Sequence, residues 1–127
     1  MTLEYKPRPV SYMSIYSSRS EIHVHTQALR LLGNPMLIRF RINEDDHMIL
    51  LEKVSEKDAS SFWVPYSIYV DSKHYSFRFG CTKLTKEICG IMGWNSNRSY
   101  RIPGWLFQEK GFARFEMDKA FDTNHSD

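Results

Sequence analysis

Apolar residues along this chain recur either at every second position or at intervals of three and four. Each change of rhythm marks a change of element. The stretch EIHVH alternates, with Ile22 and Val24 on one side and Glu21, His23 and His25 on the other, and this predicts a strand. QALRLLG then shifts to helical spacing. Thr26 is placed to cap that helix, Gly33 suits the left-handed residue that ends it, and Pro35 prevents it from continuing. MLIRFRINEDDHMILLEKV returns to alternation. Ile38, Phe40 and Ile42 share one face, Arg39 and Arg41 the other, and the acidic turn NEDD folds the chain back as a hairpin.

Beyond the polar connector SEKDASS, FWVPYSIYV reads as a strand that Pro65 confines to an edge or a bulge. DSKH is a turn, and YSFRF is a strand with Tyr75, Phe77 and Phe79 as its apolar face. KLTKEICGIMG predicts a second helix, with Leu84, Ile88 and Ile91 in register, Thr82 as cap and Gly93 as terminator. Gly90 inside it costs about 1 kcal/mol relative to alanine. SYRIPGWLF, the turn QEKG and FARFEM make a second hairpin. The sum is an α+β fold, a largely antiparallel sheet of about six or seven strands with a pair of short helices. Residues 1–11, with Pro7 and Pro9, are expected to be a flexible basic arm, 12–121 a single α+β domain, and 122–127 a disordered tail.

Both halves read strand, short helix, glycine, hairpin. With Gly33 set over Gly93, Ala28 falls on Ile88, Leu31 on Ile91 and Leu32 on Met92. Two helix-hairpin repeats and chance reuse of a common unit are both open readings of that match.

The stretch SSRSEIHVHTQALRLLG followed by a hairpin, within residues 17–54, resembles the AbrB/MraZ/SpoVT swapped-hairpin family of DNA-binding proteins. Ile22 and Val24 match its aliphatic pair, and Leu32 and Gly33 match its Leu-Gly helix end. Three positions depart from the pattern. His25 stands where the family has proline, Glu21 where it has a basic residue, and Arg30 is displaced by one from the helix arginine. The resemblance implies a homodimer whose interlocked hairpins form a barrel and present arginines to DNA. Two units in one chain would echo the family's two-repeat branch. A looser likeness of type, with no motif behind it, is to the small α+β inhibitors of phages and mobile elements, anti-CRISPR proteins among them.

Composition narrows these options. At 127 residues, 42% hydrophobic and 14% aromatic, the chain is long and apolar enough for one buried core. A net charge of +2 excludes an acidic DNA mimic, so an inhibitor of this kind would bind a host protein or nucleoprotein surface. The same charge requires any nucleic-acid site to be a local patch. Cys81 and Cys89, placed on one helix, would lie roughly 12 Å apart, too far for a disulfide. They are expected to be free thiols in a reducing, cytoplasmic setting. No apolar run approaches the roughly 18 residues of a membrane span.

The candidate chemistry follows. In GWNSNRSYRIPGW, Arg98 and Arg101 could reach phosphates or guanine edges, Asn95 and Asn97 could add hydrogen bonds, and Trp94, Tyr100 and Trp105 could stack on bases. The same residues also make an ordinary turn between helix and strand. Arg39, Arg41 and Arg30 are the next nucleic-acid candidates, and Arg78 joins them on an outward strand face. Glu44, Glu52 and Glu116 are the carboxylates placed to pair with arginines of this kind. For a protein partner, the candidate surface is Trp63, Tyr66, Tyr69, Trp94 and Trp105. His23 and His25 supply half of a zinc site, with His47, His74 or a cysteine needed to complete it; the exposed polar face is the plainer reading, and no metal is expected. Cys89 between Ile88 and Gly90 reads as a core or boundary residue. No phosphate-binding glycine loop, nucleophile elbow or zinc-protease motif is present. The expectation is a non-enzymatic, DNA-binding regulator of AbrB-like type without a cofactor, with a phage-type inhibitor as the alternative and an enzyme third.

Overall fold

The hairpin of residues 37–53 folds as its alternation requires. In the computed structural model, which describes residues 9–71, 73–107 and 110–123, it consists of β3 (Leu37–Asn43) and β4 (Met48–Lys53), with Phe40 opposite Leu51 and Ile42 opposite Ile49. Ahead of it come β1 (Ser11–Tyr16), β2 (Glu21–His25) and α1 (Thr26–Leu31). After it come β5 (Ser61–Trp63), α2 (Ser67–Val70), β6 (Ser76–Gly80) and α3 (Thr82–Met92). The chain ends in β7 (Ser99–Phe107), β8 (Phe112–Glu116) and β9 (Phe121–Asp122).

All these strands join one antiparallel sheet, in the order β5-β3-β4-β8-β7-β1-β2-β6, with β9 paired to β7. The sheet curls until its edges meet. Phe62 on β5 and Phe79 on β6 have ring centroids 4.7 Å apart, although those strands share no ladder. Phe40 and Phe77 pack against Phe79 at 5.6 and 5.2 Å, so aromatic rings close the seam. The concave face carries Met13, Ile15, Ile22, Val24, Ile38, Ile49, Leu51, Ile102 and Phe115, all fully buried. Each such side chain contributes roughly 1.5–3 kcal/mol. Gly104 is small for a steric reason: a Cβ there would stand 2.4 Å from Cε1 of Phe115 on the facing strand.

The structure corrects the sequence reading in several places. Among the described residues the sheet has nine strands, more than the alternation suggested, and helical structure includes the short α2. The added strands are β1 and β9. β1 has clear alternation, Met13 and Ile15 inward against Tyr12, Ser14 and Tyr16, in a segment next to the expected arm. FWVPYSIYV is not one strand. Pro65 lacks the N–H a ladder needs, so β5 stops at Trp63 and its carbonyl instead starts a helical turn by accepting from Ile68 at 3.0 Å. Tyr75 does not join Phe77 on the apolar face but is 82% exposed. Thr26 and Thr82 are not side-chain caps. The capping positions are His25 and Cys81, and the Thr26 hydroxyl donates to the His74 carbonyl at 3.0 Å. Gly33 and Gly93 do have positive φ (93° and 66°), and each follows its helix. Residues 1–8 of the expected arm, Gln108 and Glu109 of the second turn, and residues 124–127 of the tail lie outside the described residues.

Candidate nucleic-acid interface

The register of four neighbouring strands lines up a polar row on the convex face. Arg78 on β6 is opposite His23 on β2, His23 is opposite Ser14 on β1, and Ser14 is opposite Arg101 on β7. With strands about 4.8 Å apart, the two arginines are based about 14 Å from each other across the sheet. Inward residues of these strands are apolar, so the polar set faces out by the two-residue period alone.

Above this row is a hollow of about 500 Å³. Its floor is Ser14, His23 and Arg101; α1 adds Gln27 and Arg30, and the segment before β6 adds His74 and Tyr75. Among the described residues, none that lines it is an aspartate or glutamate. A second hollow of about 470 Å³ adjoins it, sharing His74, Tyr75, Ser76 and Arg78 and adding Lys73. The Nε of Arg101 is buried without a hydrogen-bond partner among the described residues. The Nε of Arg114 on β8 is buried in the same way, so what sets this hollow apart is that Arg30, Arg78 and Arg101 bring three permanent cations to it.

The histidines of the hollow differ in their surroundings. His25 stands where β2 ends and α1 begins, and burial, reinforced by the nearby charges of Arg101 and His23, holds its pKa below the ordinary value. His23 is only 8% exposed and its Nε2 is hydrogen-bonded to Glu21. That bond, together with the charges of His23, Arg19 and Arg78, lowers the Glu21 carboxyl below its usual range against the opposing effect of burial. The Glu21 carboxylate beside this row is thus tied to His23.

The sequence candidates separate into different places. Arg101 and Arg30 meet in the hollow, with Arg78. Arg39 and Arg41 do not join them, because β4 and β8 lie between β3 and β7. Both donate to Glu52, at 2.9 and 2.6 Å, and Arg39 also reaches Asp58 at 3.1 Å. Glu52 is one of the carboxylates expected to pair with them. Arg98 pairs with Asp122 at 3.1 Å. In the turn, Asn95 and Asn97 do what the plainer reading expected: the Asn97 N–H donates to the Asn95 side chain at 2.8 Å. Trp94 stacks on Tyr100 at 4.2 Å, and Trp105 lies under Lys119 at 4.9 Å. The aromatic set is equally dispersed. Trp63 and Tyr66 are well exposed beside β5 and α2, whereas Tyr69 is half-buried and donates its hydroxyl to the Pro35 carbonyl. Burial raises the Tyr69 pKa to about 12.

His47 pairs with Asp118 and His74 with Asp71, and among the described residues no three metal-ligating side chains cluster. Both cysteines are free, and the Cys89 sulfur lies 3.1 Å from the Ser17 hydroxyl. Sequence reasoning missed Ser14, Tyr16 and His74 as members of this site and placed Tyr75 in the core. The alternation of SYMSIY was the available signal for the first two. Nothing local marks His74 and Tyr75, which reach the hollow because Thr26 holds their backbone. Comparison with known proteins adds no relative to this picture: no family model matches the chain, and no curated protein and no solved structure matches it significantly.

Proposed function

We propose that this is a non-enzymatic DNA-binding protein, a regulator of AbrB-like type, that holds a phosphodiester backbone in the hollow over β6, β2, β1 and β7. The observation that carries the reading is the convergence of Arg30, Arg78 and Arg101 on one hollow whose lining, among the described residues, contains no carboxylate. Ser14, Ser76 and Gln27 supply neutral donors at the same place. Such contacts fix position along a backbone without reading sequence.

The two-unit layout supports the same reading. β2, α1, Gly33 and the β3-β4 hairpin repeat in kind as β6, α3, Gly93 and the β7-β8 hairpin. The hairpins adjoin through β4 and β8, and β2 pairs with β6. Where β1 and β2 place Met13 opposite Val24, the second unit places Phe62 beside Phe79. In this reading one chain supplies both interlocked hairpins, so DNA binding does not wait on a homodimer.

The test is a mobility shift with duplex and single-stranded DNA at low salt. Arg30→Ala with Arg101→Ala should weaken binding at least tenfold and flatten the dependence on log salt by about two charges' worth. Arg39→Ala with Arg41→Ala should change it less than about twofold, since Glu52 and Asp58 already pair with those two arginines. Equal losses from both double variants, or no shift with either DNA, would refute the reading. The alternative, a mobile-element inhibitor that blocks a host protein, draws support from Trp63, Tyr66, Met36 and Val70, all well exposed on or beside β5 and α2. It requires stoichiometric binding of one protein target, lost on Trp63→Ala.

A further inference from the structure

Tyr75 is the anomaly of the charged face. It is 82% exposed, yet it lies on the boundary between the two cation-lined hollows and lines both. Its neighbours in the hollow are already occupied: Tyr16 packs against His23 at 4.4 Å and carries the Arg19 guanidinium over its ring at 4.6 Å. Tyr75 has no ring or cation contact among the described residues. Its backbone is nonetheless fixed. The Thr26 N–H donates to the Tyr75 carbonyl at 2.8 Å, the Thr26 hydroxyl to the His74 carbonyl at 3.0 Å, and the His74 N–H to the Asp71 carbonyl at 3.1 Å. Immediately afterwards, Ser76 enters the ladder with β2. A bare aromatic ring on a pinned backbone, with Arg78 and His74 beside it, is a stacking platform set into a basic groove.

We propose that the groove takes an unpaired DNA strand, with a base stacked on Tyr75 and the flanking phosphates in the two hollows. This rests on the nucleic-acid reading above and adds what kind of DNA is held. A duplex keeps its base faces covered by their neighbours and would offer Tyr75 only backbone. An unpaired base has a free face, and stacking on an aromatic side chain contributes to affinity whatever the base. Hollows of about 500 and 470 Å³ are in the range that encloses small organic groups, which suits single nucleotides on either side of the ring.

The experiment is fluorescence anisotropy with an end-labelled, mixed-sequence DNA strand of about a dozen nucleotides and its blunt duplex, at about 50 mM salt. The strand should bind at least tenfold tighter than the duplex. Tyr75→Ala should weaken strand binding about tenfold while leaving its salt dependence unchanged, because no charge is removed, and Tyr75→Phe should retain it. A circular dichroism melt confirms that this exposed position leaves the fold intact. Duplex binding as tight as the strand's, or a Tyr75→Ala variant indistinguishable from the parent, overturns the proposal. If Arg101→Ala then still weakens binding, the groove stands and only the stacked strand is lost. If neither DNA binds, the groove reading fails with it.

Discussion

Two residues show how much a single position decides. Gly104 faces Phe115 so closely that even a methyl group would stand 2.4 Å from the ring. Gly104→Ala should therefore cost about 1–3 kcal/mol by overpacking, read as a lower urea midpoint. Larger residues there should cost more. His25 makes the second case. Its folded pKa is depressed, first by burial and then by Arg101 and His23, so the folded state keeps it neutral in a range where the unfolded chain protonates it. The unfolded state then binds more protons, and stability falls as pH drops below about 6.5, levelling off below the folded pKa. Urea midpoints between about pH 7.5 and 5.5 should show this decline in the parent and a smaller one in His25→Gln. The identities of both residues were plain in the sequence, but their consequences were not, since Phe115 and Arg101 reach them from other strands.

Among the elements, β1 and the segment leading into β6 matter most to the candidate site. β1 brings Ser14 and Tyr16 and bridges β2 to β7, which is what places Arg101 in the same row as Arg78. Its alternation was legible. What was not legible is that a strand so close to the amino-terminal arm would be central in the sheet. FWVPYSIYV failed as a strand because the missing N–H of Pro65 outweighs β-favouring side chains. The segment of His74 and Tyr75 depends on Thr26. Thr26→Val keeps the shape and removes the hydroxyl, leaving the His74 carbonyl without that donor, and should cost about 1 kcal/mol. If Tyr75 is a platform, the same change should weaken strand binding more than duplex binding in the anisotropy assay.

For the molecule as a whole, the question is how a curled sheet manages its two edges. β5 and β6 meet through Phe62 and Phe79 rather than through a ladder. Edge pairs of that kind interact by roughly 0.5–1.5 kcal/mol beyond the area they bury. A double-mutant cycle of Phe62→Leu and Phe79→Leu should return a coupling in that range, and a value near zero would mean the seam is not closed in solution. Amide exchange should be faster in β5, which has a neighbour on one side only, than in β4 or β7. The basic groove runs from the interior strands β7, β1 and β2 to the edge strand β6, and Met36, Trp63, Tyr66 and Val70 are the exposed apolar residues on or beside β5 and α2.

The sequence alone determined the α+β class, the two hairpins, the helix ends at Gly33 and Gly93, and which side of β2, β3 and β8 faces inward. Those properties are local: they follow from side-chain period and from backbone freedom at single residues. Tertiary structure decided which outward residues became neighbours. Arg39, Arg41, Arg98 and Arg101 look alike in the sequence, but strand order and register gave Arg39 and Arg41 a carboxylate on β4, gave Arg98 one on β9, and set Arg101 beside Arg30 and Arg78 in one hollow. Pairing across a sheet is set by contacts far apart in the chain, so no reading of period or propensity could have chosen among them.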